Sequence, residues 1–457
     1  MKNRFLYIAI AFSAFFFVGC EKSLEYKQDG SLTTAEAIKT PADLQMVLNG
    51  IYDVFANTMN GNVQTFNELL SDNLNKPKTN ADYNEMWVRN TIIFNGSIGS
   101  VYADAYRVIE RANVLISNVD NVAELTAEDK TRMLAEARFM RAYMHFELVK
   151  LFAQPYGFTA DNSHPGIVIR KAGIYETAPR TSVAGVYSFI LEDLKAAHEN
   201  LPVANGNYAS SDAASALLAK VYFQMMDYSS ALPYLNEVID GGRFTLGSIN
   251  RFQEDVISPE TIFGIVSTTA VADDRSGVYK GNYTSNDPEL NLRSEFVRET
   301  FITLPDTSVD LRAAWFTISN EGLSNERYIL NKFPLQMLNM PLLYLTDMKL
   351  LRAEANVRMG TNLDQAIKDV NDIRMRAQYN VLLPANSSST DILNAVYRER
   401  RIEMCGEGDW VQHLKRRGAS GESIDIRGAV WNCPGMVLQF PSTENTNIFD
   451  MNPEGGC

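Results

Sequence analysis

The stretch Asp129–Phe152, DKTRMLAEARFMRAYMHFELVKLF, decides the fold. Met133, Ala137, Met140, Met144, Leu148 and Leu151 recur at helical spacing along one side. Phe139, Tyr143 and Phe146 line another side. An apolar period near 3.6 predicts a helix. A helix that is apolar on two sides has to be sandwiched between neighbours, as in a stacked helical array.

Helical periodicity continues in both directions. Upstream, Leu44, Val47, Leu48, Ile51 and Phe55 predict a helix over Ala42–Phe55, with Thr40 as its cap and Pro41 in its first turn. Val101–Val119 predicts another, with Tyr102, Ala105, Tyr106, Ile109, Ala112 and Ile116 on one side. Downstream, Val183–Ala197 follows Thr181-Ser182, which are natural caps. Ser211–Asp240 is the most legible pair. Leu218, Ala219 and Tyr222, then Ala231 and Leu235, match tetratricopeptide spacing, and Asp227-Tyr228 forms the turn between. Pro341–Arg376 repeats the idea loosely, as Leu343–Met359, a turn at Gly360–Asn362, and Asp364–Arg376. Asp391–Gly406 and Trp410–Arg417 make a last helical pair. The fold class is therefore mainly α: a tetratricopeptide-like scaffold of about four helix pairs carrying long irregular, partly β loop insertions. The largest insertion spans about 241–335, rich in Gly, Asn, Asp, Ser and Thr, with a β-like run at Thr261–Val266. Residues 71–100 and 153–180 also read as loops. Loops this long inside a compact fold are usually functional or disordered.

The N-terminus reads as an export signal. Lys2 and Arg4 precede an uncharged apolar run, Phe5–Val18, which ends at Gly19-Cys20. The run falls short of the roughly 20 residues that span a bilayer and fits the apolar region of a signal peptide. Cys20 after a small residue reads as a lipobox cysteine. Residues 1–19 are then a removed leader, residues 20–32 the lipidated Cys20 and a polar linker, and residues 33–457 a single domain. The alternative is an ordinary secretory signal with a chance cysteine. No second apolar run is long enough to cross a membrane.

The net charge of −13, more negative still once Lys2 and Arg4 are lost, disfavours phosphate backbones, so nucleic acid is not an expected partner. Cys405 ends an apolar helix and reads as a buried thiol. Cys433 and Cys457 lie in an irregular tail and could pair in an exported protein, although sequence does not say whether they approach each other.

Catalytic motifs are missing. There is no Gly-rich phosphate loop, no His-Glu-x-x-His and no Gly-x-Ser-x-Gly. His145, His164, His198 and His413 are scattered, and His145 sits in a helix that reads as core. No paired Cys or His spacing suggests zinc. Asp273-Asp274 reads as a solvated pair rather than a calcium site. Acidic pairs are too numerous to single out a glycosidase couple. No catalytic residue, metal or cofactor is expected.

Several segments together resemble the SusD/RagB surface lipoproteins of Bacteroidetes. AEARFMRAYMHFELVKLF at 135–152 is similar to that family's most recognisable helix, and AYRVIERAN at 105–113 to the helix before it. Ala353-Glu354-Ala355 with VNDIRMRA at 370–377 resembles a later repeat. ERRIE at 399–403, Glu407-Gly408 and Leu414-Lys415-Arg416 match a late signature, and Asn452-Pro453 a closing tail. Gly406 departs from the pattern, standing where an aromatic is usual. Trp410 and His413 stand where a basic residue and an aspartate are common. Arg138, Arg141 and Arg400 in these segments read as scaffold that satisfies carbonyls and carboxylates between helices. The resemblance implies a non-enzymatic receptor on the outer face of the outer membrane. It would act as a lid on a SusC-like TonB-dependent transporter and capture large nutrients, mostly glycans and in some members oligopeptides.

Sugar binding needs aromatic faces and side chains that hydrogen-bond hydroxyls in fixed geometry. Loop residues of that type are Trp87 and Tyr83, with Asp72 and Asn73 just before, and Tyr279, Tyr283 and Trp315 in the long insertion. The resemblance implies that these two regions meet at the ligand. Each aromatic has an alternative as a packing residue of its own insertion. Four readings follow: a glycan receptor, a peptide receptor of the same architecture, a repeat lipoprotein that binds only protein, and an anchored glycoside hydrolase.

Overall fold

The computed structural model describes residues 37–171, 177–252, 256–267, 277–285, 287–302, 309–333 and 338–457. The segments read as leader and linker, with Cys20 between them, and Asp273-Asp274 lie outside the described residues.

The helices form where periodicity and caps coincide. Helix α1 (Pro41–Thr58) starts at Thr40, whose hydroxyl and the Asp43 carboxylate satisfy each other's backbone N–H groups in a capping box. Helix α2 (Asn62–Leu70) and the short α3 (Ala81–Trp87) follow. Helix α4 (Gly96–Asn118) begins at Asn95, whose side chain accepts from Ile98 N. Helix α5 (Ala127–Phe152) begins at Thr126 and α6 (Val183–Asn200) at Ser182. The pair α7 (Ser211–Gln224) and α8 (Tyr228–Asp240) turns at Asp227, which caps α8. Helix α9 (Leu345–Met359) stops at Gly360, whose φ of 67° is the left-handed stop glycine provides. Then come α10 (Leu363–Arg376), α11 (Ser389–Glu403) and α12 (Trp410–Ala419).

These helices stack in order. Helix α1 packs on α4, α4 on α5, α5 on α6, α6 on α7, α7 on α8, α8 on α9, and α9 on both α10 and α11. Within α5, every residue from Met133 to Phe152 is buried except Leu134, Arg138 and Lys150. That is the two-sided burial its sequence demands, and each large apolar side chain so covered contributes about 1.5–3 kcal/mol. A smaller apolar core forms beneath α9, α10 and α11 around Leu350, Val370, Ile373 and Val396.

Sequence and structure differ at the connections. Residues 71–100 read as loop, yet they hold α3 and the first turn of α4. Leu343, expected to open α9, lies in β4 (Met340–Tyr344), which pairs antiparallel with β1 (Thr261–Ile265). This pairing ties the two ends of the long insertion together. Between them, β2 (Phe316–Ser319) pairs with β3 (Arg327–Leu330), Phe316 opposite Leu330. In the tail, β5 (Asp425–Ile426) and β6 (Ala429–Val430) make a two-residue hairpin. Cys433 and Cys457 form a disulfide with Cα atoms 5.7 Å apart. Cys405 is a buried free thiol.

Gly406 is a glycine for a local reason. Its φ is 81°, and an added Cβ would sit 2.8 Å from Leu330 and Phe333 of the insertion. An aromatic there would collide with that wall. Two of the three arginines expected to bridge helices do so: Arg141 makes a two-pronged pair with Asp193 (2.7 and 2.8 Å), and Arg400 pairs with Asp347 and Asp409. No described helix is long and apolar enough to cross a membrane.

Candidate functional site

The two loop regions expected to meet do meet. Asn75 N donates to Asn291 O, Lys78 N to Glu289 O, and Arg293 N to Asn73 O. The Asn282 amide reaches both the Thr65 hydroxyl (3.1 Å) and the Tyr83 hydroxyl (3.4 Å).

The junction nevertheless covers most of the side chains singled out as ligand contacts. Tyr279 and Tyr283 are fully buried, and Phe333 lies between them and Phe252 with ring centroids 4.2 Å from Tyr279 and 4.8 Å from Phe252. Trp315 is 3% exposed, donates to Asn250 Oδ1 and carries the Lys332 ammonium over its ring. These aromatics are the insertion's own core. A ring with both faces covered offers no platform to a sugar, so the expectation that Trp315, Tyr279 and Tyr283 project toward ligand is corrected. Tyr83 is buried against Phe66. Asn73 is buried and braced between Glu68 and Arg401. Asp72 accepts from Trp410 Nε1 at 2.7 Å and pairs with Arg401 at 3.3 Å. Trp87 is half-buried, donates to Leu74 O and lies under the Arg427 guanidinium at 4.5 Å. Asp72 and Trp87 alone among the seven keep partial exposure.

Beneath this junction Glu68 is fully buried. Its carboxyl accepts from Gly408 N (3.0 Å) and Asn73 Nδ2 (3.2 Å). Burial dominates over these bonds and pushes its pKa up to about 7.

A different cleft lies just past α3. It encloses about 590 Å³ between the Ile93–Gly96 loop, the start of α4 and Pro441–Thr443 of the tail. Its floor is Tyr102 and Tyr106, with ring centroids 4.7 Å apart. Both hydroxyls turn inward, Tyr102 to Glu444 (3.0 Å) and Tyr106 to Val168 O (2.9 Å). Burial raises the Tyr102 pKa well above its ordinary value, which keeps that hydroxyl protonated. Arg170 shares Glu444 at 2.9 Å and lies over the Tyr106 ring. Arg107 and Glu110 from α4, with Ser442 and Thr443 of the tail, supply polar groups. Glu110 is the sole carboxylate among its described lining residues.

Phe94 stands at the rim, 74% exposed. Its loop is pinned from both sides. Asn95 caps α4 and donates to Asp82 O and Glu85, while Ser442 N donates to Ile93 O. The aromatic is thus presented on rigid backbone, as a pre-formed site requires. Sequence reasoning passed over Phe94, but a signal existed. An apolar residue preceding a helix cap usually staples onto the fourth helical residue, and that residue here is Gly99, which has no side chain to receive it.

Other chemistry is accounted for structurally. His145 is buried against Phe189 with its pKa lowered to about 3 by desolvation. His164 bonds Thr159 and Gln154 O, His198 faces Glu237 at 3.1 Å, and His413 is buried against Trp410. Among the described residues no group of three or more His, Cys, Asp or Glu is placed to hold a metal ion.

The helical stack with its folded-in insertion matches known proteins throughout. A family model described as "Starch-binding associating with outer membrane" matches residues 22–223, and a second, described as the SusD family, matches residues 278–448. SusD-like protein P38 of Formosa agariphila is 24% identical across 94% of each chain. SusD-like protein P25 of the same organism is 23% identical over 52% of this chain, and the match spans 46% of that protein. A crystal structure of a SusD-like carbohydrate-binding protein from Bacteroides vulgatus superposes with a TM-score of 0.70 at 20% identity, covering 83% of this chain and 84% of that one. The chain belongs to the SusD family.

Proposed function

We propose that this protein is a non-catalytic oligosaccharide receptor of the cell surface, and that Phe94 and the cleft beside it hold the sugar. The observation that carries this reading is the rigidly mounted, 74% exposed Phe94 ring over a concave apolar floor edged by polar groups. That combination is what a pyranose needs: one aromatic face for its C–H surface and side chains that bond its hydroxyls. The description of the matching family as starch-binding and associated with the outer membrane supports the same class of ligand. Glu110 is the single carboxylate among the described lining residues, which favours binding over hydrolysis, since glycoside cleavage generally takes two flanking carboxyls. Trp87 and Asp72, the two expected contacts that keep partial exposure, are not among the residues that line this cleft.

In this reading Cys20 carries the lipid that holds the protein at the outer membrane, and a SusC-like TonB-dependent transporter receives the captured glycan. Affinity electrophoresis in gels cast with neutral polysaccharides tests it, alongside an assay for new reducing ends. Retardation without new ends is expected. Release of new ends would identify a hydrolase, and unretarded migration in every gel would move the ligand class to peptides.

A further inference from the structure

A second cleft lies on the helical stack, shares no lining residue with the Phe94 cleft, and is built of different elements. It encloses about 380 Å³ between α1, the N-terminal half of α5 and the α6–α7 connection. We infer that it is a second carbohydrate subsite, taking a neutral pyranose unit against the exposed ring of Tyr208.

Tyr208 is 44% exposed and held in place. Its ring meets Tyr52 edge to face, with centroids 4.9 Å apart. Tyr52 is itself fixed: its hydroxyl donates to Glu136 at 2.5 Å and accepts from Ala209 N at 2.9 Å. Tyr208 N donates to Asn205 O, which closes the turn. An aromatic surface that spends no ordering entropy on binding is the part of a sugar site hardest to improvise.

Around the ring stand planar polar groups with complementary capacity. The Gln45 amide donates to Asn49 Oδ1 at 2.9 Å, which leaves Gln45 an acceptor oxygen and Asn49 its two donors. The Asn205 amide donates to Ala209 O at 2.8 Å, which leaves its oxygen to accept. A sugar hydroxyl both donates and accepts, so a mixture of fixed acceptors and donors suits it. The wall is charged but balanced. Glu136 is fully buried and is paired by Arg132 at 2.7 Å. That neutrality selects an uncharged sugar over a uronate or a phosphate. Gln45, Asn49 and Tyr208 touch solvent, while the apolar faces of α1 and α5 point inward.

The inference shares the ligand class of the proposed function but not its site, so the two can fail separately. Hydrogen exchange of the purified full chain in detergent is followed with hexasaccharides of glucose, mannose and galactose, and with an oligoglucuronate as charged control. Slowing of the 201–210 amides of at least about threefold with a neutral hexasaccharide, absent with the oligoglucuronate, is expected. Tyr208→Ala and, separately, Asn49→Ala abolish it, while Phe94→Ala leaves it intact. Protection confined to 91–96 and 441–443 would overturn this second subsite and keep the Phe94 cleft. Protection at 201–210 alone would do the reverse. Protection at neither place with any hexasaccharide overturns both, as does slowing at 201–210 that survives Tyr208→Ala and Asn49→Ala for this subsite.

Discussion

Arg312 Nη1 lies 2.8 Å from Glu403 Oε1, and both side chains are wholly buried. One belongs to the long insertion and the other to α11 of the scaffold. Arg312 also pairs with Asp310 and Glu399, while Glu403 pairs with Arg251 and Arg376. Flanking arginines outweigh burial and hold the Glu403 carboxyl well below the usual carboxylate range. The insertion is thereby welded to the stack, and its aromatics are drawn into a core.

Arg312→Ala takes from Asp310, Glu399 and Glu403 the buried cation they share, leaving Glu399 to Arg374 and Arg398 and Glu403 to Arg251 and Arg376. Removing one partner from such a group costs about 3–5 kcal/mol. Chemical denaturation should show a loss of that size, larger than for the exposed pair made by Arg298 and Glu326. Equal, small losses at both positions would contradict the weld.

The Cys433–Cys457 bond closes a loop with a sequence separation of 24. Loop-closure entropy for that length is worth about 3 kcal/mol. Cys457→Ser should lower stability by roughly that amount and match wild type measured under reducing conditions. Non-reducing mass spectrometry of a tryptic digest checks the pairing directly.

Glu68 makes stability fall with pH in a defined window. Below its ordinary 4.5 the carboxyl is protonated whether folded or unfolded. Between 4.5 and about 7 the unfolded chain releases the proton and the folded one keeps it, so rising pH favours unfolding. Above about 7 both states are ionised and the effect is spent. The contribution across the window is on the order of 3 kcal/mol. Denaturation midpoints of wild type and Glu68→Gln should diverge in slope across this window, and parallel profiles would refute the assignment.

Trp87 and Phe94 should respond differently to truncation. Trp87→Ala loses the bond to Leu74 O and the Arg427 stack, and a loss of about 2–3 kcal/mol in stability is expected. Phe94→Ala, at an exposed position, should change stability by no more than about 0.5 kcal/mol. Thermal unfolding of the two variants separates the roles.

The scaffold was legible because its signals are local. Met133 to Phe152 show their burial by spacing alone, and Thr40, Ser182 and Asp227 mark the helix starts they cap. The candidate site was less so. Whether a loop aromatic is covered depends on partners far away in sequence: Trp315 is satisfied by Asn250 and Lys332, Tyr279 by Phe252 and Phe333, Asp72 by Trp410. Residue type and loop location could not reveal those partners. Phe94 was exposed by something equally small, the missing side chain at Gly99.

The most direct test of the glycan-receptor account is calorimetric titration of wild type and Phe94→Ala with the neutral polysaccharide that retards the protein in gels. The account predicts saturable binding by wild type and a loss of about tenfold or more in affinity for the variant, with thermal unfolding unchanged. Equal affinity of the two proteins would contradict it and remove the Phe94 cleft as the place where sugar is held.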